Sequence, residues 1–136
     1  MSRPTVRVVV DSGVLVEDAK KEKSAKIVMD IIRKSPEMVI IASMPLLDEA
    51  QKVIETDLGG ELADRWREDI ESICEIVDHL EEDHPALASA YVGNAQHIIS
   101  RDERLTNAKA GVAIRTKIET SVKRPDAFVK LFENII

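Results

Sequence analysis

The chain holds one cysteine in 136 residues, which excludes an internal disulfide and fits a reducing compartment. Cys74 lies in an apolar helical pattern with no partner cysteine, so packing, not metal or redox chemistry, is its expected role. Aromatic residues make up 3% of the chain. That is too few for a base-stacking platform, so any contact with nucleic acid should be to the backbone, and Trp66 and Tyr91 read as core. The five glycines form no phosphate-cradling loop, and no Gly-x-Ser-x-Gly elbow occurs. His79, His84 and His97 are scattered, with no His-x-x-x-His pair, which argues against zinc. No apolar run approaches membrane-spanning length, and the start Met1-Ser2-Arg3-Pro4 lacks a signal-peptide core. These absences lead to the expectation of a cytoplasmic protein without membrane contact.

What remains is ordinary in amount and uneven in arrangement. The apolar share of 44% and charged share of 32% suit one globular domain spanning residues 1–136. The net charge is -6, but residues 44–99 carry 14 acids and 3 bases. Residues 101–130 reverse the balance, with 8 bases and 4 acids. An acidic protein can still hold a polyanion if its bases cluster beside the site, because charges beyond about 10 Å are screened.

Strand and helix patterns take turns along the chain. Val8 to Val10 read as a strand buried on both faces, and Val39 to Ala42 as a second. Residues 18–34 read as an amphipathic helix with Ala25, Val28, Ile31 and Ile32 inward and Lys20, Lys21, Lys23 and Arg33 outward. Ser43 and Pro45 suit a helix start, and that helix should run to about Glu55. After Gly59-Gly60, a long helix is expected through Trp66, Ile70, Ile73, Cys74, Val77 and Leu80. Pro85 opens another, whose Ala86, Ala88, Ser89, Ala90 and Gly93 allow close packing. His97 to Ser100 and Gly111 to Ile114 read as strands, and Pro125 to Ile136 as a terminal helix. Alternation of this kind implies a three-layer α/β/α sandwich around a central, mainly parallel sheet.

Several acids stand at the ends of these elements. Asp11 closes the first strand before the turn Ser12-Gly13, where it either caps that turn or is aimed at a ligand crevice. Asp102 stands in the same relation to the strand ending at Ser100. Glu49 falls about 100° from the centre of the stripe Leu46, Leu47, Ala50, Val53 and Ile54, bordering the core, while Asp48 faces solvent. Asp83 precedes His84-Pro85 as a ready N-cap. Four carboxylates converging on one sheet edge would repel each other unless cations neutralise them. Oxygen ligands suit Mg²⁺ or Mn²⁺, whose common use is attack of water on a phosphodiester. Aspartyl-phosphate chemistry would want an aspartate two residues after Asp11, where Gly13 stands.

At these positions the chain resembles the PIN-domain family, the nuclease fold of VapC-like toxins and RNA-processing enzymes. The family's opening strand, aspartate and apolar pair are matched from Val8 to Val16 around Asp11. Its second acid matches Glu49 with Val53, its third Asp83 with Leu87 and Ala90, and its fourth Ser100, Asp102 and Leu105. Its closing Pro-x-x-Phe helix is similar to Pro125 through Phe128. Arg104 stands where many members carry a further aspartate, and Gly13 where they carry asparagine, which leaves one metal or two open. The family's short strand before the third acid falls on the expected helix from Cys74 to Leu80. The resemblance implies a metal-dependent endoribonuclease in which Asp11, Glu49, Asp83 and Asp102 hold Mg²⁺ or Mn²⁺ and Ser100 orients a carboxylate. Arg101 and Arg104 sit where they would either hold a substrate phosphate or make surface salt bridges. RNA as partner, a homodimer and an antitoxin protein follow from the same likeness. The alternative is a degenerate PIN module acting as an RNA- or protein-binding assembly subunit.

Overall fold

The computed structural model describes residues 5–80, 84–106 and 120–132. Its elements run β1 (Val6–Val10), α1 (Ser12–Ala19), α2 (Lys23–Lys34), β2 (Met38–Ala42), α3 (Met44–Leu58) and α4 (Gly60–Ile73). They continue with β3 (Cys74–Ile76), α5 (Pro85–Gly93), β4 (His97–Ile99), α6 (Glu103–Thr106), β5 (Ser121–Lys123) and α7 (Pro125–Phe132). The five strands form one sheet in the order β3-β2-β1-β4-β5, and every neighbouring pair is parallel. Val8, Val9 and Val10 are buried because β1 lies at the centre with layers on both faces. The chain passes from β1 through α1 and α2 to β2 and through α3 and α4 to β3, then returns through α5 to β4 on the other side of β1. The fold is the three-layer α/β/α sandwich.

The strand order carries a functional consequence. Beyond β1 the chain builds outward through β2 and β3, then returns to the other side of β1 for β4 and β5. The order therefore reverses between β1 and β4. In open parallel sheets this is where a crevice opens at the carboxyl ends of the strands.

Packing explains most of the remaining placement. α5 lies close on the sheet through Ala86, Ser89, Ala90 and Gly93, all buried. A Cβ added at Gly93 would stand 2.6 Å from Ile41 Cγ2, so only glycine permits this approach. At the other end of the sheet Arg7 Nε donates to the Gly93 carbonyl at 2.7 Å, and its guanidinium pairs with Glu75 on β3. α7 packs against α2, and its Phe128 and Phe132 meet the His97 ring edge-on at 6.4 and 5.6 Å. Burial there, with Lys123 adding to it, holds the His97 imidazole below its ordinary range. Among the described residues no helix is long and apolar enough to cross a membrane.

Several expectations need correction. The single helix over 18–34 is two, divided where Lys21 adopts the left-handed φ of 63°. The inward stripe of α2 is as expected, with Met29 added. The long helix stops at Ile73, and Cys74 to Ile76 form β3, because parallel pairing with Ile40 to Ala42 outweighs local helical spacing. Tyr91 is exposed rather than core, as is Val53, since α5 and α3 turn those positions to solvent. β5 was not foreseen; the strand expected from Gly111 to Ile114 lies outside the described residues.

Candidate functional site

Asp11 is reached directly from β1, whose hydrogen bonding extends one residue further as Asp11 N–H donates to the Ile99 carbonyl at 2.9 Å. The same residue is the N-cap of α1. Its backbone is extended (φ -64°, ψ 155°), and its Oδ1 accepts from Ser12 N–H at 2.8 Å. The cap and the strand end coincide, so the carboxylate is buried, 8% exposed, yet held at the rim of the sheet. Ser100 Oγ donates to its second oxygen at 2.6 Å, and Asp102 N–H donates to Ser100 Oγ at 2.9 Å. One serine thus joins the ends of β1 and β4 and sets Asp102 two residues beyond it. Extending the register of β1 by two residues on β2 and one on β4 brings Ser43, Asp11 and Ser100 abreast.

The remaining expected residues distribute as follows. Asp102 is half-buried and has His84 Nε2 3.7 Å from its Oδ2. Glu49 stands on α3 and is exposed rather than bordering the core. It shares a shallow cleft of about 430 Å³ with Pro45, Asp48, Lys52 and Val53. Asp48 faces solvent as expected and pairs with Arg67 at 2.6 Å. Asp83 and the side chain of Arg104 lie outside the described residues. Arg101 donates through Nε to both carboxylate oxygens of Glu17, at 2.5 and 2.7 Å, so it makes the salt-bridge contact. Cys74 is a free thiol pushed up to about 12, chiefly by burial and further by Glu71, which suits packing rather than reactivity.

Oxygen donors of this kind fit a hard cation in chemistry. The described geometry ties one of them, the Asp11 carboxylate, through Ser100 to the backbone N–H of Asp102. Among the described residues no three His, Cys, Asp or Glu side chains are grouped to hold a metal.

Two histidines that spacing passes over belong to this edge. His84 opens α5 as its N-cap and faces Asp102. His79 Nε2 lies 2.8 Å from Ser43 Oγ at the end of β2. Neither is visible in a search for paired histidines, because each partners a residue from a distant strand end.

A sequence-family model described as a family of unknown function, DUF7384, matches residues 2–135. None of the curated proteins matches the chain.

Proposed function

The chain belongs to that family, so no activity comes by kinship, and we propose, from its strand-end acids and their likeness to the PIN-domain family, a metal-dependent endoribonuclease of the PIN-domain kind. The observation that carries this reading is the Asp11–Ser100–Asp102 junction at the point where the strand order reverses. Buried carboxylates without a purpose are costly, and here a serine is spent on orienting one of them. Asp11, Glu49, Asp83 and Asp102 would hold Mg²⁺ or Mn²⁺. When bound, such an ion supplies the Lewis acidity that makes water nucleophilic near neutral pH and offsets charge on the phosphodiester.

The chain's own part is positioning. Ser100 and the Ser12 amide take one lone pair from each Asp11 oxygen and fix the carboxylate plane, leaving its remaining lone pairs for a ligand. Asp102 is carried on the backbone that Ser100 anchors. Arg101 and Arg104, next to it in sequence, are the candidate phosphate contacts of this reading, with Glu17 competing for the Arg101 guanidinium. RNA is the substrate on this reading, and a second copy of the chain and an antitoxin protein are the partners that the PIN likeness implies.

A second reading, an RNA- or protein-binding assembly module, draws on the ungrouped ligand set among the described residues. Calorimetry with Mn²⁺ and cleavage of single-stranded RNA separate the two. Wild type should bind Mn²⁺ and cut, while Asp11→Asn and Asp102→Asn should each lose on the order of 100-fold or more in cleavage and remain folded. If wild type binds neither ion and cuts no RNA with Mg²⁺ or Mn²⁺, the module reading replaces the enzyme.

A further inference from the structure

A second pocket lies at the opposite end of the sheet from the Asp11–Ser100–Asp102 junction. It holds about 300 Å³, the low end for small-molecule sites, and its apolar wall is Ile32, Pro36, Met38, Ile40 and Ile73. Met38 opens β2 and pairs with Val6 at the start of β1, whereas the junction stands beyond the last residues of β1 and β4. α2 ends here at Lys34 and α4 at Ile73, so the negative ends of two helix dipoles border the pocket.

Arg33 and Ser35 are the polar part of the lining. Ser35 is 3% exposed. Its N–H donates to the Ile32 carbonyl at 3.3 Å, and its carbonyl accepts from Met38 N–H at 3.0 Å. Its hydroxyl, in contrast, has no hydrogen-bond partner among the described residues. A buried hydroxyl left unpaired costs stability, so the fold gives no reason for a serine here. Arg33 spends only Nη2 on Asp69, whose Oδ2 lies 3.0 Å away. Among the described residues Arg33 Nε and Nη1 and the other Asp69 oxygen keep their hydrogen-bonding capacity. Asp69 stands one helical turn before Ile73 on α4, which puts the acid on the face that walls the pocket.

A guanidinium and a carboxylate side by side at an aliphatic wall complement a zwitterion with an aliphatic body. We propose that this pocket binds a free aliphatic α-amino acid of leucine or isoleucine size. Its carboxylate accepts from Arg33 and from the Ser35 hydroxyl, its ammonium donates to Asp69 beside the two helix ends, and its side chain lies against Ile40 and Ile73. Asp69 and the helix ends disfavour an aliphatic carboxylate alone, and Arg33 disfavours an alkylamine alone, so discrimination needs both charges. The site uses none of the strand-end acids and does not rest on the nuclease reading.

The test uses the full chain with L-leucine, followed by calorimetry and by amide chemical shifts. Leucine should bind saturably, with the largest shifts at Ile32, Ser35, Met38 and Ile73. Isoamylamine and isocaproate, which each lack one of the two charges, should bind about 10- to 100-fold more weakly, the range for a lost hydrogen bond to a charged partner. Arg33→Gln should lose leucine affinity by the same factor. Ser35→Ala separates binding from folding: it should weaken leucine about 10-fold yet melt no lower than wild type, because its hydroxyl bonds nothing in the free protein. A Ser35→Ala variant that melts lower and binds leucine as wild type does would make the hydroxyl structural and overturn the proposal. Shifts that fail to saturate with leucine up to about 10 mM would overturn it too. So would equal affinity for isoamylamine or isocaproate, or an Arg33→Gln variant that binds leucine undiminished.

Discussion

Asp18 shows how one side chain can oppose the fold that holds it. It sits in the last turn of α1, half-buried, and desolvation raises its carboxyl from 3.8 to about 6. Arg33 pulls the other way, while Asp30 and Asp69 add to the rise. A carboxyl raised in the folded state binds more protons there than in the unfolded chain. The contribution of Asp18 to stability is therefore most favourable below pH 4, falls as pH rises from about 4 to about 6, and stays lowered above that. A shift of this size corresponds to about 3 kcal/mol, and partial solvent screening reduces it to on the order of 1 kcal/mol. Asp18→Asn should accordingly be more stable than wild type at pH 7 by about that amount, with the gain vanishing near pH 4. Urea denaturation at pH 4, 5, 6 and 7 checks this, and a gap that does not change with pH would refute it. Asp11 is a satisfied cap, its Oδ1 accepting from Ser12 N–H. Asparagine caps nearly as well as aspartate, so Asp11→Asn should stay within about 1 kcal/mol of wild type while losing function.

At the scale of elements, α5 is the helix whose sequence most closely dictates its seat. Its small residues form a flat face, and Gly93 lets it meet Ile41 without a gap. Gly93→Ala should overpack that contact and cost about 1–3 kcal/mol, less up to about 1 kcal/mol returned by alanine's better helix propensity. A fall in melting temperature of several degrees is expected, at roughly 4 °C per kcal/mol for a chain of this size. A variant as stable as wild type would mean that the helix rides higher on the sheet. α3 and α4 show a different kind of seat, polar at its rim. Arg67 bridges them, donating to Asp48, Gln51 and Glu71, which holds together two acidic helices that would otherwise repel.

On the nuclease reading, the whole molecule has to bring a polyanion to an acidic protein. RNA then approaches the carboxyl edge beside Arg101, which opens the stretch of residues 101–130 in which bases outnumber acids. Log affinity should fall linearly with log salt at about -0.7 per neutralised phosphate for single strands. Arg101→Ala with Arg104→Ala should flatten that slope by about 0.7 to 1.4 units, one or two phosphate contacts. Lys20→Ala with Lys21→Ala should do much less, since both follow the end of α1 opposite to its Asp11 N-cap. Filter-binding across a salt series reads the slopes directly, and a response to the first-helix lysines alone would place the RNA path on the wrong side.

Much of this was open to reading in the residues themselves. The β-branched run at Val8 to Val10 and the amphipathic stripe of α2 follow from local pattern, because burial demands apolar atoms at fixed periods. So do the Ser43 cap and the small-residue face of α5, and together they imply the parallel three-layer fold. The break at Lys21, the strand at Cys74 and the strand at Ser121 were not legible. Each depends on a partner strand or a turn that local spacing does not encode, and Ile73, Cys74 and Val77 fit a helix as well as a strand. The same division holds at the site. Asp11 and Asp102 could be picked out as strand-end acids, but only the pairing of β1 with β4 brings Ser100 between them. Only the placement of β2 beside β1 joins His79 to the same edge. Sequence determines which faces must be buried, because transfer of side chains from water is a local property. Which strand ends stand side by side is decided by long-range pairing, and that is where the chemistry of this edge arises.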